Sequence, residues 1–308
     1  MKILPLFASL ALLITNLPAQ PAPPAQTGFT AATAVARAYD LILDANFEQL
    51  EKVLPTVCPP APAAACLGLE SLSLWWQIQL DPNNRRLDAR FLSTVNAAIA
   101  ESKRFADAEP QRAEAWFYVG AAYGARAQFR VHREERLAAA RDGKHIKESL
   151  ERALALDPSM HDAEFGIGMY RYYADVAPAL FRFLRFLFLL PGGDREGGLQ
   201  QLERAGTQGL LVRDEAQFQI HVIYLWYEKK FPQALEIVRG LQTRYPRNPL
   251  FRQIEAEILD VYFHDPAASL KASEQLLALA QSGAVFRTDI AERVARRNIA
   301  KQSIALKK

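Results

Sequence analysis

The chain has 308 residues, half of them apolar and 23% charged, with a formal net charge of only +3. That length allows one large domain or two ordinary ones, and the composition is that of a folded chain, not a disordered one. So small a net charge gives no argument for nucleic acid. Sparse glycine and clustered proline suit a helical protein.

The first element reads as removable. MKILPLFASLALLITNLPAQ sets Lys2 before an apolar run from Ile3 to Ile14 and ends on Leu17-Pro18-Ala19. A basic start, a short apolar core and a small-residue end form the pattern of a secretory signal peptide. Residues 1–19 are therefore expected to be cleaved, leaving a periplasmic protein; an uncleaved anchor is the alternative. No cysteine follows the apolar run, so lipoprotein processing is not indicated. Residues 20–29 read as a flexible linker. Export admits disulfides, and Cys58 and Cys66 bracket the loop CPPAPAAAC. A local disulfide and a pair of free buried thiols are both open. The spacing does not fit zinc, and it is not C-x-x-C.

From Thr30 onward almost every segment repeats its apolar residues at helical spacing, and no stretch alternates like a strand, so an all-α fold is expected. Residues 30–106 read as N-terminal helical pairs. Three helix stops are marked by proline: Leu80-Asp81-Pro82, Leu156-Asp157-Pro158 and Arg244-Tyr245-Pro246. Proline cannot continue a helix and drives the preceding residue out of the helical region.

Ahead of Pro158 stands RAEAWFYVGAAYGARAQ, in which Trp116, Val119, Gly120 and Tyr123 reproduce W-x2-L-G-x2-Y with Val in the Leu place. At these residues the chain resembles the tetratricopeptide-repeat (TPR) family. The resemblance implies a solenoid of helical hairpins, with Gly120 admitting a close helix approach and Ala153 as its small partner residue. Extra residues within 124–143 separate the two halves. The next unit begins HDAEFGIGMYRYY, with Ile167-Gly168 in the Leu-Gly places, and continues in GGLQQLERAGTQG with Ala205 at the small position. An insert over 176–197 divides it. A third unit runs from Glu215 to Pro246, with Phe218, Leu225, Ala234, Val238, Leu241 and Pro246 at signature spacings and Val222 in the Gly place. A weaker fourth unit spans Pro249 to Ala268. The repeats thus occupy 107–285, and 286–308 reads as a capping helix with a basic tail. The block PGGDREGGLQQL also resembles the eukaryotic inclusion-body-clearance TPR proteins.

A search for chemistry finds little. The five histidines, His132, His145, His161, His221 and His264, are scattered, and none pairs with a second ligand at metal spacing. GGDREGG follows no strand and lacks a Lys-Ser ending, so it reads as helix termination with Asp194 capping the next helix. Glu70-Ser71 with the distant Gly198-Leu199-Gln200 echoes helical lytic transglycosylases, in which a buried Glu protonates a glycosidic oxygen. The separation is too great for that compact domain. No catalytic, metal or cofactor residue is assigned.

Binding is the better expectation. Aromatic residues gather at Tyr170, Tyr172 and Tyr173 and at Tyr224, Trp226 and Tyr227. The resemblance places first-helix residues along a groove, and Tyr172, Tyr224 and Tyr227 are the chosen groove positions for another envelope protein or peptide. Arg126, Arg130, Arg133, Arg136, Arg141, Lys144 and Lys147, diluted by Glu134, Glu135 and Asp142, form one basic cluster, and Arg293, Arg296, Arg297, Lys301, Lys307 and Lys308 a second. The apolar stretch 179–190 would make a helix of about 18 Å at 1.5 Å per residue, short of the ~30 Å bilayer core. Its Phe181, Phe186 and Phe188 flank the main apolar face, so this helix is expected to leave a side for a partner, a second copy or a membrane surface. The chain thus reads as an exported scaffold or adaptor without chemistry. A peripheral membrane protein using 179–190 and a glycan-cleaving helical enzyme are the alternatives.

Overall fold

A computed structural model describes residues 27–176 and 192–307, and every regular element among them is helical. The expected signal peptide, the start of the linker, and the stretch 179–190 with Phe181, Phe186 and Phe188 lie outside the described residues.

The helices are α1 (Ala32–Leu43), α2 (Phe47–Val57), α3 (Ala63–Leu80), α4 (Asp88–Ala108), α5 (Ala113–His132), α6 (Arg136–Leu156) and α7 (His161–Val176). After the break follow α8 (Arg195–Gln208), α9 (Arg213–Ile223), α10 (Phe231–Arg244), α11 (Pro249–Val261), α12 (Pro266–Gln281) and α13 (Thr288–Ala305). The three proline-marked stops fall where the sequence puts them: Asp81, Asp157 and Tyr245 cap the C-termini of α3, α6 and α10. Proline also opens helices, as Pro249 and Pro266 do in α11 and α12, because its missing N–H costs nothing in the first turn.

From α5 on, each helix packs chiefly on its sequence neighbours, with α5 on α6, α7 on α8, α9 on α10 and α11 on α12. The extra residues within 124–143 lengthen both α5 and α6, and the turn between them passes through Glu134 in the left-handed region, φ 64°.

Glycine and alanine set how closely these helices approach. Leu150 of α6 lies between two of them: a Cβ on Gly120 would come within 2.5 Å of its side chain, and one on Gly166 within 2.4 Å. Between α7 and α8, a Cβ on Gly168 would meet the Gly198 carbonyl at 2.7 Å. Ala153, Ala205 and Ala234 are fully buried at the matching positions of α6, α8 and α10.

The N-terminal helices do not extend this series. They lie across it. Gly28 N donates to Asp157 Oδ2 at 3.3 Å, and Thr30 N donates to Glu114 Oε1 at 2.8 Å. Phe29 meets Phe117 edge-on, ring centres 4.9 Å apart. Further along, Tyr39 reaches Glu215, Asp40 accepts from the Tyr245 hydroxyl at 2.8 Å, and the Leu43 carbonyl accepts from Asn248 Nδ2 at 2.7 Å. Phe47 closes the run on Phe286, 4.9 Å between centres. Residues 30–47 therefore cross α5, α9, the end of α10, the start of α11 and the turn before α13 in chain order. Beneath this strap, α3 is apolar on more than one face: the adjacent Trp75 and Trp76 are both buried, although neighbours on a helix point about 100° apart. Trp76 packs on Phe218 and Phe251, with centres 5.2 and 6.0 Å away. One contiguous core joins residues of α1–α3 to residues of the later helices.

Candidate functional site

The face on which a peptide groove was expected is filled by the chain itself. Phe117 of α5 presents its ring to Phe29 ahead of α1, and Phe218 of α9 and Phe251 of α11 present theirs to α3. Polar ends are satisfied in the same way. Glu114, wholly buried, accepts from the Thr30 backbone and hydroxyl, each at 2.8 Å, and from Arg112 Nε at 2.9 Å. Burial of such groups without partners would cost several kcal/mol.

Tyr172, expected on the groove, is 0% exposed. Its ring belongs to the core with Leu202, Ile220 and Ile223, and its hydroxyl donates to Glu228 Oε1 at 2.5 Å. A side chain enclosed by three neighbouring helices offers nothing to a partner. Tyr224 is half-buried, and its hydroxyl donates to Glu203 Oε1 at 2.8 Å. Of the three chosen tyrosines only Tyr227 is exposed, at 37%. Beside it stands Trp226 at 66%, a residue that the groove argument passed over.

The local geometry explains these exposures. After Ile223 the helix α9 widens into a π-turn over Tyr224–Glu228 and ends at Lys229 in the left-handed region, φ 53°. An inserted residue re-aims the side chains that follow, and π-turns recur at functional positions. Here Leu225 turns inward and Trp226 outward. The turn is anchored from below: Glu228 accepts from Tyr172 and, at 2.9 Å, from Arg195 Nε. The Arg195 guanidinium holds the Glu228 carboxyl below its ordinary range against the pull of partial burial, and Tyr172 assists. Tyr172, Tyr173 and Tyr227 pack edge-on with centres 5.6 to 5.8 Å apart. The result is a braced platform that exposes one indole and part of one phenol ring.

The remaining sequence candidates find mostly structural settings. Trp116 is half-buried and donates Nε1 to the Pro110 carbonyl at 3.0 Å, while Tyr123 is buried and stacks on His145. Pro158 and Pro246 sit exposed in turns. Cys58 and Cys66 are joined by a disulfide. Asp194 caps α8, accepting from Gly197 N at 2.9 Å, and Gly193 and Gly198 beside it approach the α7 backbone too closely for a Cβ. Glu70 is exposed on α3, in no apolar pocket of the kind a glycosidic acid needs. Among the described residues no cluster of three or more His, Cys, Asp or Glu is placed to hold a metal ion. No helix among them is long and apolar enough to cross a membrane.

Part of the first basic cluster turns inward, while Arg136 and Arg141 are exposed. Arg126 and Arg130 converge on the buried Asp142 at 2.7 and 2.6 Å, and Arg133 makes a forked pair with Asp88 at 2.8 and 2.9 Å. These guanidinium groups fasten α5 to α6 and α4. Neither a protein-family model nor a curated protein matches this chain.

Proposed function

We propose that this chain is an exported TPR-like scaffold of helical hairpins that binds another protein of the cell envelope and performs no chemistry of its own. The repeat reading is supported by the nearest-neighbour helix packing and by glycine-to-leucine contacts at the signature positions, Gly120 on Leu150 and Gly168 beside Leu202. The C-terminal α13 takes the role of the capping helix that such a solenoid needs.

The observation that carries the binding reading is the Trp226–Tyr227 platform. With the inner face closed by α1 and α3, the partner meets this braced turn instead of a groove. Exposed Trp and Tyr on a rigid base are the residue types that dominate interface energetics, and truncating such an anchor costs about 2 kcal/mol or more of binding.

Crosslinking and pull-down from the native envelope tests both levels. A partner recovered with the natural chain and lost with Trp226→Ala/Tyr227→Ala supports the platform. Retention of that partner by the double variant removes the platform, and recovery of no partner above background removes the scaffold role.

A further inference from the structure

The second basic cluster behaves differently from the first. Helix α13 packs on α12 and on the end of α11. Its inner stripe is Ala291, Ala295, Asn298 and Gln302, with Asn298 Nδ2 donating to the hydroxyls of Ser273 at 2.6 Å and Ser269 at 3.1 Å. At 100° per residue the opposite stripe is Arg293, Arg297, Ala300 and Ile304, flanked by Arg296, Lys301 and Lys307, and all of these are exposed. Beyond Glu292 the sequence holds no Asp or Glu. Arg296 pairs with Glu292 at 2.6 Å and Lys301 contacts Asp260, while Arg293, Arg297 and Lys307 have no ion pair among the described residues.

Helix-end electrostatics does not account for this stripe. The helix dipole favours cations only within the last turn, and Arg293 and Arg297 stand well before it. Apolar side chains sit among the charges: Ile304 is 62% exposed and Leu306 48%. The Lys301–Asp260 contact ties in the end of α11, where Val261 and Phe263 are also exposed. Cations on flexible stems around a few apolar side chains, on one outer helix face, match a flat anionic surface with apolar depth.

We propose that the outer face of α13 docks on an anionic phospholipid bilayer, with Arg293, Arg297 and Lys307 meeting headgroup phosphates and Ile304 seated between them. The interaction is electrostatic first, so it is screened by salt.

Flotation of the full chain with vesicles tests the proposal. The chain is expected to float with phosphatidylcholine vesicles that contain phosphatidylglycerol, not with phosphatidylcholine alone, and to be released at high salt. Arg293→Glu/Arg297→Glu is expected to weaken binding about tenfold or more, since each basic group near an anionic surface contributes a several-fold factor. Ile304→Ser weakens it by a smaller factor. Arg293→Gln/Arg297→Gln, which keeps helix-compatible side chains, serves if the reversal unfolds the protein, and circular dichroism checks each variant. Equal flotation with both vesicle types, or undiminished flotation of the charge variants, overturns the proposal and assigns lipid contact to another part of the chain. No flotation with anionic vesicles overturns it as well, and binding to an acidic polymer in its absence identifies a soluble polyanion instead.

Discussion

The Tyr39 hydroxyl donates to Glu215 Oε2 at 3.1 Å, linking α1 to α9 between two buried side chains 176 positions apart in the chain. Burial pushes the Glu215 carboxyl up, and the hydrogen bonds from Gln219 and Tyr39 do not cancel it. A carboxyl raised in the folded state contributes stability in acid and loses it as the pH climbs through the raised value. Glu215→Gln, which keeps an acceptor for Tyr39 without the charge, is therefore expected to gain on the natural chain as the pH rises. Thermal unfolding of both at about pH 5 and about pH 8 checks this; a constant difference in Tm would contradict it.

Leu150 between Gly120 and Gly166 gives a graded test of close packing. An added methyl at Gly120 strikes the end of a side chain, whereas at Gly168 it strikes the Gly198 backbone. Overpacking costs about 1–3 kcal/mol, and replacing glycine in a helix returns about 1 kcal/mol. Gly168→Ala is expected to be the more damaging, at about 2 kcal/mol net, and Gly120→Ala to be nearly neutral to about 1 kcal/mol. Urea unfolding ranks them. In a Gly120→Ala/Leu150→Ala double variant the losses are expected to fall short of their sum, because both changes act on one space.

His221 is a buried imidazole whose Nδ1 meets the Phe218 carbonyl and whose ring packs on that of Phe218. Burial lowers its pKa from 6.5 to about 4, and the carbonyl opposes that only in part. A base depressed in the folded state adds stability above its unfolded pKa and loses it as the pH falls to the folded value. Between about pH 6.5 and about pH 4 the natural chain is thus expected to lose ~3 kcal/mol that His221→Phe does not lose. Denaturant midpoints across that window read the difference, and parallel curves would refute it.

Asp162 holds the connection between α8 and α9. Its buried carboxylate accepts from the backbone N–H of Leu210 at 3.0 Å, Leu211 at 2.6 Å and Val212 at 2.9 Å. Asp162→Ala leaves three donors without their acceptor and is expected to cost about 3–5 kcal/mol, at 1–3 kcal/mol for each group left unsatisfied and with partial hydration of the loop. Hydrogen exchange should accelerate first at residues 210–212. A uniform acceleration along the chain would mean that the loop is not where the loss falls.

The disulfide between Cys58 and Cys66 closes a short loop, with a sequence separation of 8. Loop entropy gives it ~2–3 kcal/mol. Cys58→Ser/Cys66→Ser should therefore lower the Tm by a few degrees without altering the helical circular dichroism signal; loss of that signal would show a larger role.

The helical class and its punctuation were legible because they rest on local chemistry: apolar spacing, and proline after Asp81, Asp157 and Tyr245. Gly120 and Gly168 were found through their signature spacings, yet Gly166 and Gly198, which make equally close contacts, stand at no signature position. The filled inner face escaped because it is set by residues far apart in sequence. One signal for it lay in α3, where consecutive Leu74, Trp75 and Trp76, all buried, spread large apolar side chains over about 200° of the helix. Tyr172 was misassigned for the same reason, since adjacent tyrosines do not say which of them turns inward. Trp226 owes its exposure to a π-turn, and no residue type announces one.

The strap of residues 28–47 has a consequence for the order in which the molecule is completed. This segment precedes every one of its seats in the chain: Glu114, then Glu215, then Tyr245 and Asn248, and finally Phe286. The hairpins close through near neighbours, while the strap depends on partners spread over most of the described chain. Its amphipathic helix α1 is not fully housed until the chain as far as Phe286 is available. A truncation that removes only α13 and its approach leaves Phe47 without Phe286, so a change late in the described chain is felt near its beginning.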